Sequence, residues 1–133
     1  MQNTSGKTAL GLDLNIGALL CYVNVCLPIG LVYSIIVLVS DKENKLPRFH
    51  AFQSLLATAL IVVLSILMQI VAVIGAFVDA AIGVPILSLG SFLLFLLLIL
   101  GVLIMIIIAA VKAFQGDAYK LPLIGGMADN WSN

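Results

Sequence analysis

Charged residues punctuate the chain at Lys7, Asp13, Asp41, Lys42, Glu43, Lys45, Arg48, Asp79, Lys112, Asp117, Lys120 and Asp129, and three long uncharged stretches lie between them. They run over residues 14–40, 49–78 and 80–111, each longer than the ~20 residues that cross a bilayer core. The segment from Phe92 to Ala110 is apolar on every side, without the polar stripe at 3.6-residue spacing that a soluble surface helix keeps. The pattern predicts an all-α, polytopic integral membrane protein forming a single membrane domain over 1–133. Its three transmembrane helices are expected at about 14–40, 47–78 and 85–114, followed by an interfacial C-terminal tail over 115–133. Pro47 and Pro85 suit first helical turns, where a missing N–H is harmless, whereas Pro28 lies inside the first run and predicts a kink between Asn24 and Gly30. That run exceeds the 7 to 15 apolar residues of a typical signal peptide, so the first helix is expected to be retained.

Composition agrees: 63% of residues are hydrophobic and 9% charged, with a mean hydropathy of +1.27. A water-soluble globule is excluded, since such domains carry roughly a quarter charged residues. Six basic and six acidic residues cancel, so no nucleic-acid partner is expected. With three spans, the Asp41–Arg48 loop and the tail share Lys42, Lys45, Arg48, Lys112 and Lys120, against Lys7 alone on the other side. Because basic residues resist translocation, the 41–48 loop and C-terminus are expected in the cytoplasm and the N-terminus outside. Tyr119 and Trp131 suit the headgroup level.

The chemistry-bearing residues are few. Cys21 and Cys26 sit about 140° apart around a helix and lack the spacing of a redox or metal pair, so they read as small core residues. Pairs of small residues four apart, Gly17 with Cys21, Gly30 with Ser34 and Ala72 with Ala76, suggest that the first two helices pack together. The leucine-rich third is left to lipid or a partner subunit. No serine elbow, phosphate loop or HExxH pattern occurs, so no catalytic, metal or cofactor site is expected. No ionisable residue lies deep in a span, which disfavours a pump or coupled transporter. The amides Asn24 and Gln69 lie deepest, each about ten residues from the expected outer end, and could pair.

The stretch Asp41-Lys42-Glu43-Asn44-Lys45-Leu46-Pro47-Arg48-Phe49-His50-Ala51-Phe52-Gln53-Ser54 opens the second helix, with Gly11-Leu12-Asp13 and Ala18-Leu19-Leu20-Cys21-Tyr22 upstream. Ala113-Phe114-Gln115-Gly116 and Tyr119-Lys120-Leu121-Pro122-Leu123-Ile124-Gly125 follow the third. Over nearly its whole length the chain resembles bacterial membrane proteins related to the twenty-kilodalton Tic component of chloroplast protein import, with Pro47 and Gly126 departing from that pattern. The resemblance implies a bacterial inner-membrane protein and, as one functional alternative, a component of an import or translocation machinery.

The residues themselves favour a non-catalytic subunit or scaffold of a larger membrane complex, energy-transducing, respiratory or photosynthetic, with the bilayer and other membrane subunits as partners. The expected interaction residues are Arg48, Phe49, His50, Gln53, Tyr119, Lys120, Pro122 and Gly125, together with Asn24 and Gln69. His50 and Gln53, three apart on one helical face, are expected to hold backbone groups of the tail. The sharper alternative makes His50 an axial ligand to a haem or chlorophyll.

Overall fold

A computed structural model describes residues 6–25 and 28–132, with the side chains of Asn24 and Val25 left aside. The regular elements of the described residues are all helices: α1 (Leu14–Leu20), a 3-10 helix (Cys21–Val25), α2 (Ile29–Ser40), α3 (Lys45–Ile82), α4 (Ile86–Phe114) and α5 (Gly125–Ser132). An isolated bridge pairs Lys7 with Asp13 ahead of α1.

Among the described residues two helices, α3 and α4, are long and apolar enough to cross a membrane. This corrects the expectation of three spans. The run expected as one helix over 14–40 is broken into a seven-residue α1, the 3-10 segment and a twelve-residue α2. Pro28 contributes to the break, because it has no N–H to give and its ring collides with a carbonyl four residues back; here it stands at the N-cap of α2. The kink expected between Asn24 and Gly30 centres on residues 26 and 27, outside the described residues, as does Cys26 of the cysteine pair. The second helix starts two residues before and ends four after its expected bounds, with Pro47 in its first turn. The third begins at Ile86, one residue after Pro85, and the tail carries a helix of its own, α5.

The chain divides into two compact units, Met1–Thr58 with Met105–Asn133, and Ala59–Ile104. In the first, Cys21, Val37 and Ala51 form a buried cluster that brings the 3-10 segment, α2 and the start of α3 together, with Tyr33 and Leu38 against it. The small residues allow this approach: a Cβ on Gly17 would come within 2.7 Å of Thr8 Cγ2 and 3.0 Å of the Tyr33 hydroxyl. The second unit is a helical hairpin whose apolar side chains point outward, Phe77 and Leu97 among the most exposed. Its turn uses Gly83 at φ +75°. Asp79 fastens it, accepting the backbone N–H of Leu87 at 2.9 Å on Oδ1 and of Ser88 at 2.7 Å on Oδ2. A carboxylate thus satisfies donors that the first turn of α4 leaves open.

Candidate functional site

Three polar side chains of the first unit, Tyr22, His50 and Gln53, converge on one buried cluster. α4 ends in a Schellman motif: Gly116 takes φ +81°, its N–H reaches the Ala113 carbonyl at 3.0 Å, and the Asp117 N–H reaches Lys112 at 2.9 Å. A left-handed residue at that point turns the chain back toward the second and third turns of α3. There, His50 and Gln53 are both fully buried. His50 Nε2 lies 3.1 Å from the Asp117 carbonyl. Gln53 Nε2 donates to the Tyr119 carbonyl at 3.0 Å, and Gln53 Oε1 accepts the Leu121 N–H at 3.1 Å. The structure therefore brings His50, Gln53 and the tail segment 117–121 together.

Tyr22, from the 3-10 segment, completes the cluster. Its hydroxyl is 2.9 Å from His50 Nδ1 and accepts from Gln53 Nε2 at 2.8 Å. The proton positions follow from the partners. A carbonyl can only accept, so His50 Nε2 carries the hydrogen; a neutral ring then has Nδ1 as acceptor, and the Tyr22 O–H donates to it. The chain of donors runs from Gln53 through Tyr22 to His50 and ends on Asp117. Ser54 adds a hydrogen bond to the Cys21 carbonyl. Phe49 closes the other side, its ring edge-on to His50 with centroids 5.0 Å apart.

The other expected residues lie around this cluster with smaller roles. Arg48 reaches the Lys42 carbonyl at 3.5 Å. Lys120 pairs with Asp129 at 2.8 Å on the surface of the tail, a contact of little energetic weight when exposed. Pro122 is exposed. Gly125 is required sterically, because a Cβ there would sit 2.6 Å from Lys120 Cα. Trp131 of α5 meets Phe52 edge to face at 5.9 Å. Gln69 lies in the second unit, lining a groove of about 410 Å³ with Ser65, Ser88 and Ser91. The side chain of Asn24 is outside the described residues. Tyr22, two positions earlier, stands beside Gln53 of the first unit, and Gln69 belongs to the second.

Three residues of the cluster, Tyr22, Asp117 and Ser54, are not among the expected interaction residues. A hydroxyl-bearing aromatic within an apolar run is a signal for Tyr22, since a buried Tyr O–H seeks a partner. Asp117 contributes only its carbonyl, which no side-chain pattern reveals. Chemically, the cluster is closed. Both nitrogens of His50 and both ends of the Gln53 amide are engaged within the chain, so axial coordination by His50 would require giving up one of these bonds. No group of three or more metal-ligating side chains occurs among the described residues.

Comparison with known proteins gives the family context. The family model described as the magnetosome magnetite crystal formation protein family matches residues 8–128. A UPF0132 membrane protein of Methanocaldococcus jannaschii is 32% identical over 127 residues, covering 96% of each chain. A second from that organism is 26% identical over 123 residues, 92% of this chain and 73% of its own. One from Archaeoglobus fulgidus is 29% identical over 101 residues, 76% and 82% respectively. No solved structure matches. These matches overturn the expected likeness to the twenty-kilodalton Tic component and to bacterial proteins, because the relatives are archaeal membrane proteins and nothing among them points to Tic. The stretch that carried the likeness, Lys45 to Ser54, is accounted for by the packing that opens α3 against the tail.

Proposed function

The chain belongs to the MamF/MmsF family of magnetosome magnetite crystal formation proteins and is a small membrane protein, and on that premise we propose that it is a non-catalytic structural subunit. It holds a folded polar cap at one membrane face, against which other membrane proteins of a larger complex dock. The observation that carries this reading is the closed cluster of Tyr22, His50 and Gln53: the side chains best suited to chemistry serve to fasten the tail to α3. The family's name concerns magnetite crystal formation, and a role of that kind in this chain would run through the shape of the membrane protein. Of its carboxylates, Asp41, Asp79, Asp117 and Asp129 each accept a bond within the chain.

In this reading the cap faces the cytoplasm, since Lys42, Lys45, Arg48, Lys112 and Lys120 accompany it, and the tail rests at the interface with Tyr119 and Trp131 half exposed. The test is gentle solubilisation followed by native electrophoresis of the wild-type chain and of Gln53→Leu. A discrete species well above the 14.1 kDa chain, with partners in fixed ratio and lost in the variant, is the expected result. Single-chain migration of the wild type overturns the subunit role.

A further inference from the structure

We propose that the first apolar run does not cross the membrane: it enters and leaves by the face that bears the 41–48 loop, so that the N-terminal segment, this loop and the C-terminal tail share one side. Only α3 and α4 then cross.

Three observations within the first unit carry this. The two ends of the run are tied together, with Asp41 Oδ2 accepting the Ala9 N–H at 3.2 Å and Asn44 Nδ2 donating to the Lys7 carbonyl at 3.2 Å. Asn44 also donates to Asp41 Oδ1 at 2.7 Å, and Asp41 is buried. A continuous helix over 14–40 would hold its ends about 40 Å apart. The limbs on either side of the break are also matched. α1 and the 3-10 segment together rise ~20 Å, and α2 returns ~18 Å.

The depth of the break is the third observation. Its 3-10 segment sits beside His50, Gln53 and Ser54, through Tyr22 and the Cys21 carbonyl. That is five to nine residues into α3, and the same turns of α3 receive the tail segment 117–121 after α4 has ended at Phe114. The middle of a true span would stand level with the middle of α3. Here it stands level with the end of α4. The interfacial hairpin also presents a stripe of exposed apolar side chains along α2, Ile29, Val32, Ile36 and Val39, suited to the acyl chains of one leaflet.

The charge distribution agrees independently. With the run folded back, Lys7, Lys42, Lys45, Arg48, Lys112 and Lys120 all lie on one side. Asp79, the only charged residue between Arg48 and Lys112, is the only charge left at the far turn. The basic asymmetry becomes six to none, as the charge rule for short loops favours.

Single cysteines at Leu10, Glu43, Asn130 and Ala81, in a full-length chain with Cys21 and Cys26 replaced by alanine, test the arrangement in sealed vesicles with an impermeant maleimide. Leu10→Cys is expected to react from the same side as Glu43→Cys and Asn130→Cys, opposite to Ala81→Cys. Labelling of Leu10→Cys together with Ala81→Cys overturns the proposal, because the run then crosses. A protease site inserted ahead of Gly6, in the chain with its native cysteines, gives a second reading independent of the substitutions. Cleavage from the Glu43 side is expected, and cleavage from the Ala81 side overturns it.

Discussion

Replacing Gln53 with leucine preserves approximate volume at a fully buried position while deleting one acceptor and two donors. The Leu121 N–H loses its acceptor at a buried site, and stranding such a group costs about 1–3 kcal/mol. The Tyr119 carbonyl loses its donor too, but that residue is partly exposed and water can replace the bond. The Tyr22 hydroxyl keeps His50 as acceptor. Together these place the loss at about 1–3 kcal/mol, concentrated in the contact between α3 and the tail, which corresponds to a tail roughly five to a hundred times more open. Limited proteolysis of the protein in nanodiscs reads this directly, provided reclosing outpaces cleavage. Cuts between Gly116 and Gly126 should appear roughly five to a hundred times faster in Gln53→Leu. Gln69→Leu, in the other unit, should leave them at the wild-type rate. Equal tail protection in wild type and Gln53→Leu refutes the assignment of Gln53 as the fastener.

Three further outcomes follow from the same geometry. Tyr22→Phe removes the hydroxyl between Gln53 and His50 and should destabilise the cap by about 1–2 kcal/mol; histidine ¹⁵N spectra should show hydrogen on Nε2 and an acceptor-type Nδ1 in the wild type, with the Nδ1 resonance shifted in the variant. Gly125→Ala forces a Cβ into the Lys120 backbone, while at Gly126 nothing lies within 4 Å. The first should increase tail cleavage and red-shift Trp131 emission, and Gly126→Ala should be neutral or slightly stabilising, by up to about 1 kcal/mol. Asp79→Ala removes both acceptors for the Leu87 and Ser88 N–H groups and should lower the melting temperature of the hairpin more than Asp79→Asn, which keeps one acceptor; equal melting of the two variants contradicts the capping role.

How far the fold was legible depended on what each segment had to satisfy. α3 and α4 were readable because lipid imposes one requirement, an uninterrupted apolar helix, and their bounds fell within four residues of expectation. The first run passes the same compositional test, yet its ends are joined by Asp41 and Asn44. These lie 32 and 37 positions from Ala9 and Lys7, and no local pattern shows such a pairing. His50 and Gln53 could be singled out because polar side chains near the start of an apolar helix need partners. Their partners are mostly backbone groups at Asp117, Tyr119 and Leu121, which every residue type possesses. The family resemblance drawn from those motifs misled for a related reason: residues selected to close a helix against a tail carry little information about what the protein assembles with.

Gln53 and Leu121 are separated by 68 positions, His50 and Asp117 by 67. During synthesis, α3 emerges with a buried-type amide and imidazole on its second and third turns well before the tail segment whose backbone completes their bonding. The cluster can close only after α4 has been made and inserted, so its closure reports that both long helices are in place. A chain ending before Gly116 lacks the backbone partners at Asp117, Tyr119 and Leu121 and leaves His50 and Gln53 with Tyr22 alone. Completion of the polypeptide is thereby coupled to the stability of the first unit, which the tail must join.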